Sequence, residues 1–203
     1  KFSTSDLPPS ATTEFDVGFN LDSRETGIST AFSATDPKTY HSTTSGTVID
    51  SLGNSHVLSV FFQKATATAN TWNVYATLDG KVDATGQPIG VSLAGSASQT
   101  LEFDENGVIQ TIGTLPTVSP LDIEIDYTLI DPALGIATAQ TVSFDMTTAT
   151  QYGSKFGVTA LTQDGYTSGR MSGFSISGEG VILGNYSSGQ TKTLGQIVLA
   201  NFV

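Results

Sequence analysis

Apolar and polar residues alternate with a period of two along most of this chain, and no stretch sustains the period of a helix. The alternation is clearest at 14–22, 71–78 and 121–129. Successive side chains of a strand point to opposite faces, so the apolar residues of each stretch share one face. These faces consist of Phe15, Val17, Phe19 and Leu21, of Trp72, Val74, Ala76 and Leu78, and of Ile123, Ile125, Tyr127 and Leu129. The pattern predicts an all-β fold.

Turn-forming residues separate these stretches. The sequences LDGK, ATGQPIG, DENG and DPALG combine Gly, Asn, Asp and Pro, which hairpin turns and surface loops prefer. Short strands divided by such turns are typical of an antiparallel sandwich or barrel rather than of alternating strands and helices. Further short strands are predicted near 101–103, 141–146, 171–176, 180–184 and 194–202.

The composition changes towards both ends of the chain. Residues 1–10 contain the Pro8-Pro9 pair, which favours extended backbone and predicts a linker before a domain that starts near Ala11. After Tyr166 glycine becomes frequent, which predicts closely turned strands. A segment of about forty residues is too small to fold alone, so we expect it to pack against sequence before Lys1. The lack of an initiator methionine agrees with the expectation that the chain is part of a longer protein.

Charge and cysteine usage narrow the classes of partner and site. The 203 residues include 19 acidic and 8 basic side chains, for a formal net charge of -11. A field of this sign repels nucleic acid and anionic lipid, so neither is an expected partner. No apolar run approaches the roughly 18 residues that span a bilayer, so no membrane contact is predicted. Without cysteine there is neither a disulfide nor a thiolate metal site.

One stretch brings together the side-chain types of a hydrolytic triad. Asp50, Ser51 and His56 lie close together in the sequence. Triads, however, are assembled from separate elements, so closeness along the chain says little about catalysis. A nucleophilic serine of the G-x-S-x-G kind also sits between a strand and a helix, and Ser51 lacks both that motif and a following helix. We therefore predict no catalytic residue.

The same stretch is better explained as a structural turn. Residues 47–49 and 57–62 are strand-like, and the sequence DSLGN joins them. An aspartate at the start of such a turn binds local backbone N–H groups, and a Gly-Asn pair tolerates positive φ. The predicted turn residues are Asp50, Gly53 and Asn54. Replacing Gly53 with valine is then expected to destabilise the domain that contains this turn by about 1 kcal/mol or more, because valine is strained at positive φ.

No group of residues predicts a metal or another cofactor. The D-E-N-G sequence at 104–107 resembles the start of a calcium loop but continues as a strand, which favours a turn. Three carboxylates on one strand face are close enough to attract a hard cation, but a solvated edge strand protected by charge is favoured. They are Asp122, Glu124 and Asp126. His41 and His56 lack the further His or Cys ligands of a zinc site.

The aromatic and glycine-rich stretches are also better explained by packing and turns than by ligand binding. A carbohydrate groove is one interpretation of Phe61, Phe62, Trp72, Tyr75 and Phe103. In alternating strands such residues are more often core, which is the interpretation we favour. The run GEGVILGNYSSG does not follow the G-x-G-x-x-G pattern of nucleotide-binding loops and predicts turns and close packing.

Several motifs occur in a fixed order: the DSLGN turn after a strand, TWNVY, LEFDENGVI, the QDGY step, and the ending GVILGNYSSGQTKTLGQIVLANF. Together they resemble the bacterial flagellar hook protein family, over most of the chain from Asp36 onward. The resemblance implies an outer β domain at 11–164 and the second segment of a middle β domain at 165–203. It implies that 1–10 is a linker or the end of the middle domain, which is discontinuous in the full-length protein.

The resemblance also implies a function. Hook subunits polymerise into a flexible helical tube that passes motor torque to the filament. The implied partners are identical subunits, the rod, hook-cap and hook–filament junction proteins and the export apparatus, and the implied location is the extracellular hook. Two alternatives stay open: a surface adhesin or lectin-like β-sandwich that binds carbohydrate, and a hydrolase that uses Asp50, Ser51 and His56.

Overall fold

The computed structural model of the chain describes residues 5–113, 119–136 and 139–197. The chain forms two compact units, each built from separate stretches of sequence. The first unit consists of Lys1–Ala11, Ile49–Ser55 and Gly165–Val203, and the second of Thr12–Val48 and His56–Asp164. The segment Ile49–Ser55, which the sequence interpretation places inside the outer domain, thus groups with the first unit.

Strands dominate the described parts of the chain, and the helices there are two single turns. The helical turns are α1 (Tyr127–Ile130) and a 3-10 turn at Pro132–Leu134. The strands are β1 Glu14–Asp22, β2 Ser42–Ile49, β3 Ser55–Lys64, β4 Thr71–Leu78, β5 Val91–Leu93, β6 Gln99–Phe103, β7 Ile109–Ile112, β8 Leu121–Ile125, β9 Gln140–Asp145, β10 Thr150–Tyr152, β11 Gly157–Gln163, β12 Met171–Ile176, β13 Val181–Tyr186 and β14 Thr191–Gln196. The predicted all-β class is confirmed.

Two sheets make up the second unit. One has the order β10-β1-β9-β8-β5, with β11 also paired to β1, and the other has the order β2-β3-β4-β6-β7. Most pairs are antiparallel, as predicted, but β1 runs parallel to both β9 and β10. A parallel pair needs a long connection between its strands, and here strands β2 to β8 lie along the chain between β1 and its two parallel neighbours.

The apolar faces of the strands meet between these two sheets. The side chains predicted to share faces on β1 and β4 are no more than 1% exposed; they are Phe15, Val17, Phe19, Leu21, Trp72, Val74, Ala76 and Leu78. The rings of Phe19 on β1 and Phe62 on β3 lie with their centroids 4.5 Å apart, which joins the core across the two strands. Each fully buried side chain of this size contributes about 1.5–3 kcal/mol. The alternation thus identified the core faces of β1 and β4 correctly.

The third alternating stretch does not remain a strand to its end. β8 ends at Ile125, and the Asp126 carboxylate accepts a hydrogen bond from the Thr128 backbone N–H, which caps the turn α1. Tyr127 stays buried, but Leu129 is 61% exposed rather than on the core face. The prediction for Leu129 is therefore wrong, because a local Asp cap competes with continued strand pairing.

The first unit contains a three-stranded meander and an amino-terminal segment. β13 is the central strand, with β12 and β14 antiparallel on either side. In the amino-terminal segment, Leu7 bridges to Gly169 and Ser10 bridges to Tyr166, each through a pair of backbone hydrogen bonds of 2.8–3.0 Å. Residues 1–4 of the predicted linker and residues 198–202 of the last predicted strand lie outside the described residues.

A carboxylate joins the two ends of the second unit. Asp164 Oδ1 accepts hydrogen bonds from the backbone N–H groups of Thr13 (2.8 Å) and Glu14 (3.0 Å), and Thr13 Oγ1 donates to Oδ2. Thr12 Oγ1 also donates to Gln163 Oε1 at 3.0 Å. Burial alone would raise the pKa of Asp164, but these hydrogen bonds outweigh it and lower the pKa. The first and last strands of the unit, β1 and β11, are thereby tied together where they begin and end.

Replacing Asp164 with alanine is expected to lower the free energy of unfolding of the second unit by about 1 kcal/mol at neutral pH, because exposed charged hydrogen bonds are worth that little. Because the folded pKa is depressed, this stability is present above the unfolded pKa of about 3.9 and is lost as the pH falls through the folded pKa. Urea unfolding at several pH values checks this. Asp122→Ala, at an exposed position on β8, is the control. If Asp164→Ala still lowered the free energy of unfolding in acid, the proposed role of the Asp164 carboxylate would be contradicted.

Candidate functional site

The turn that joins β2 to β3 is the structural site predicted from the sequence. Asp50 is fully buried, and its Oδ1 accepts the backbone N–H groups of Leu52 (2.9 Å) and Asn54 (2.8 Å). Its Oδ2 accepts the Asn54 side-chain amide at 2.8 Å. The Gly53 backbone N–H donates to Asp50 O, and Gly53 has a φ of 89°, in the left-handed region. The carboxylate thus organises a reversal of the chain that needs glycine at one position.

The same backbone turn occurs five times among the described residues. In each, the first residue's N–H donates to the carbonyl of the fifth, and a glycine at the fourth position, with positive φ, donates to the carbonyl of the first. The five sequences are DSLGN at 50–54, DATGQ at 83–87, DENGV at 104–108, SGEGV at 177–181 and YSSGQ at 186–190. In the three that begin with Asp, its Oδ1 also accepts the N–H groups of the third and fifth residues. The D-x-x-G-x pattern of these three turns is visible in the sequence.

Packing distinguishes the turn at Gly53 from the turn at Gly189 in the same unit. A Cβ atom added to Gly53 would lie 2.7 Å from Pro9 Cβ and 3.8 Å from the Ser168 backbone nitrogen. A Cβ added to Gly189, in the fifth turn, would meet nothing within 4 Å, although Gly189 has a similar φ of 82°. The Gly53 turn therefore packs tightly between two other segments of the first unit. The sequence offered no signal for the contact with Pro9, because the two residues are far apart along the chain.

The residues of the hydrolytic hypothesis have other roles. Ser51 is exposed, and two Asp50 oxygens bind the groups of its own turn. In the second unit, His56 Nδ1 lies 2.7 Å from Asp79 Oδ2, and the His56 ring lies 5.1 Å from that of Tyr127. The backbone N–H of Val57 donates to Asp79 Oδ1 at 2.8 Å. Asp79 is thus a partner of His56 that the sequence interpretation missed.

The metal candidates are also engaged in local structure. Asp104 binds backbone N–H groups in its turn, and the bonds from Val108 and Asn106 lower its pKa against the effect of burial. Asp122 and Glu124 are exposed on β8, which lies between β9 and β5, so the prediction of an edge strand is wrong. Across the described ranges, no three His, Cys, Asp or Glu side chains come together in an arrangement suited to a metal ion.

The aromatic candidates lie in the core or against it. Phe61, Phe62, Trp72 and Phe103 are buried, and Tyr75 is half-buried, with a pKa raised by burial. The ring of Tyr75 stacks on Phe32 at 3.9 Å, and Phe32 comes from the long connection between β1 and β2. The favoured interpretation of these residues as packing residues is confirmed.

A cleft of about 330 Å³ lies on the second unit, and its lining includes Asp22, Glu25, His41 and Lys155. Arg24 binds both oxygens of Asp22, at 2.9 and 2.7 Å, and this side-chain hydrogen bonding lowers the pKa of Asp22 to about 2. His41 Nε2 lies 2.9 Å from Thr26 O, and its Nδ1 accepts the Lys64 backbone N–H. Asp22 and His41 are therefore engaged within the protein.

None of the described helices has the length and apolar character needed to cross a membrane.

Comparison with known proteins places these features in context. The family model described as "Flagellar basal body protein FlaE D2 domain" matches residues 20–166. The chain is 34% identical over 194 residues to a protein named flagellar hook protein FlgE from Salmonella typhimurium. The matched region covers 95% of this chain and 43% of that relative. The proteins of that name from Escherichia coli and Treponema pallidum are 34% and 30% identical, over 85% and 90% of this chain.

The chain spans less than half the length of these relatives: 43% of the Salmonella typhimurium protein, 38% of the Escherichia coli protein and 43% of the Treponema pallidum protein. The family match begins within β1 and ends just beyond Asp164, so it covers most of the second unit together with the Asp50 turn.

Proposed function

The chain belongs to the flagellar hook protein family, as a member with a FlaE D2 domain, and on that premise we propose that it is part of a structural subunit of the bacterial flagellar hook. The observation that carries the proposal is the 34% identity to the Salmonella typhimurium hook protein along 95% of this chain. The fold supports it, because the conspicuous polar clusters hold turns and strand ends together rather than facing a common reactive centre.

We assign the two units to the two implied domains. The second unit corresponds to the outer β domain, and the first unit, with its three-stranded meander, corresponds to the second segment of the middle β domain. The bridges Leu7–Gly169 and Ser10–Tyr166 support this assignment, because they make the chain before the outer domain part of the same unit as the chain after it. The first ten residues then belong to the end of the middle domain.

The proposed role is mechanical. Identical subunits that meet through heterologous contacts build an open helical tube rather than a closed ring. A tube that bends while it rotates needs contacts that exchange at small differences in free energy, and polar, acidic strand surfaces suit this better than apolar ones. The subunit would pass torque from the motor to the filament in the extracellular hook. The rod, hook-cap and hook–filament junction proteins and the export apparatus are its proposed partners, and it has no enzymatic activity.

The direct test is localisation on intact cells. Antibodies raised against the 203-residue chain should label the curved segment between the cell surface and the filament in electron micrographs, and antibodies pre-absorbed with the chain should not. Deleting residues 11–164 from the full-length protein should leave hooks that are straightened or mechanically altered. Label on the filament or over the cell body, or normal hooks in the deletion strain, would sink the proposal.

A further inference from the structure

The turn between β6 and β7 contains a pair of residues with its own chemistry. Asn106-Gly107 is the single Asn-Gly pair in the sequence. Asn106 is exposed, and Gly107 occupies the left-handed position of the turn with a φ of 76°. An asparagine followed by glycine is prone to spontaneous loss of its amide, because glycine has no side chain to hinder the approach of its backbone nitrogen.

The reaction needs only water and the hydroxide ion that water contains, which serves as the base. A base removes the proton from the Gly107 backbone nitrogen, and this nitrogen attacks Cγ of Asn106. The new N–Cγ bond closes a five-membered succinimide, and the Cγ–Nδ2 bond breaks so that Nδ2 leaves as ammonia. Water then opens one of the two ring carbonyls, which yields either aspartate or isoaspartate. The attack requires the peptide between the two residues to rotate relative to the Asn106 side chain.

The folded turn opposes that rotation from several directions. The Gly107 N–H donates to Asp104 O at 3.1 Å, and Asp104 Oδ1 accepts the N–H groups of Asn106 and Val108, each at 2.9 Å. On the other side, the Gln151 N–H donates to Gly107 O at 2.9 Å. A Cβ placed on Gly107 would collide with the Gln151 carbonyl oxygen, so the peptide has little room to turn.

We propose that Asn106 is a deamidation site whose reactivity is controlled by opening of the turn that Asp104 organises. While the turn is closed, the N–H of the attacking nitrogen is engaged by Asp104 O, and the peptide cannot rotate freely. When the turn opens locally, the exposed amide reacts at the rate of an unstructured Asn-Gly pair. The proposal is independent of the assignment to the hook, because it concerns only the chemistry of this turn.

Both deamidation products would weaken the turn between β6 and β7. Either product adds a carboxylate next to Asp104 and Glu105, in a chain that already has a formal net charge of -11. Isoaspartate also inserts an extra backbone carbon into a turn whose five residues are joined by backbone bonds of fixed register. The modified chain should therefore pair β6 with β7 less well than the unmodified chain.

The rate can be measured on the 203-residue chain by peptide mapping with mass spectrometry, which separates asparagine, aspartate and isoaspartate at position 106. The folded chain should deamidate at least about tenfold more slowly than the same chain unfolded in urea. Asp104→Ala should accelerate deamidation of the folded chain by about tenfold, because it removes two backbone hydrogen bonds to a charged group and the longer one, of 3.5 Å, from the Asn106 side-chain amide. The comparison of folded with unfolded wild-type chain remains decisive even if this variant folds poorly.

The matched control is Asp83→Ala. Asp83 makes the same two backbone bonds in the turn at 83–87 of the same unit, where Thr85 precedes the glycine. The Asp83→Ala variant should leave the deamidation rate at Asn106 unchanged. Equal rates in the folded and unfolded wild-type chains would overturn the proposal, as would an unchanged rate in Asp104→Ala or an equal acceleration by Asp83→Ala.

Discussion

Replacing Gly53 with valine is expected to lower the free energy of unfolding of the first unit by about 3 kcal/mol. Two costs combine at this position. A β-branched residue is strained at a φ of 89°, and its Cβ would lie 2.7 Å from Pro9 Cβ, inside the van der Waals contact distance. The effect is larger than the value expected from the sequence, and it falls on the first unit rather than on the outer domain, because Ile49–Ser55 groups with the first unit.

The turn at 186–190 offers a matched control for this substitution. Gly189→Val imposes similar strain, at a φ of 82°, but no other atom lies within 4 Å of the added Cβ. It should therefore cost only about 1–2 kcal/mol. Hydrogen exchange of β12, β13 and β14, followed peptide by peptide, measures the stability of this unit. Equal losses for the two variants would show that strain alone matters and that the contact with Pro9 contributes nothing.

Replacing Trp72 with alanine is expected to destabilise the second unit by about 3–5 kcal/mol. Trp72 is 1% exposed, and the substitution leaves a cavity in the core near the start of β4. It also removes the indole N–H that donates to Gln151 Oε1 at 2.6 Å, on a side chain that is itself 5% exposed. A buried acceptor left without this partner adds to the cost.

Tyr152→Ala provides the comparison for Trp72→Ala. Tyr152 follows Gln151 on β10 but is 49% exposed, so its removal should cost less than about 1 kcal/mol. Circular dichroism is the suitable probe for urea unfolding, because the chain has a single tryptophan and the variant loses its fluorescence. A loss of less than about 2 kcal/mol in Trp72→Ala would mean that the core around β4 collapses into the vacated space.

The sequence predictions that the structure confirms rest on local patterns of apolar and polar residues. The alternation on β1 and β4 identified buried faces, because side-chain direction along a strand depends only on the position in the chain. The pattern failed at Asp126, where the same alternation continues through Leu129 but a side-chain cap turns the backbone into α1. A carboxylate one residue after a strand is compatible both with a longer strand and with a capped helical turn, and the sequence pattern does not distinguish between them.

Long-range relations were beyond the sequence patterns. The carboxylates of β8 were predicted on an edge strand, yet β5, a strand of three residues about thirty positions earlier, covers that edge. The sequence gives no sign that Asp79 is the partner of His56, because the two residues come together only through the pairing of β3 with β4. Pairing and packing bring such residues into contact irrespective of their distance along the chain.

The sequence by itself determined that this chain is all-β, which side chains of β1 and β4 form its core, and which family it resembles, because these depend on short-range periodicity and on motif order. Only the tertiary structure decided that the turn at Gly53 packs against Pro9, and that Asp164 ties together the two ends of the second unit. Those properties arise from contacts between segments remote in sequence, such as Gly53 with Pro9 and Asp164 with Thr13, and such contacts exist only once the strands have paired.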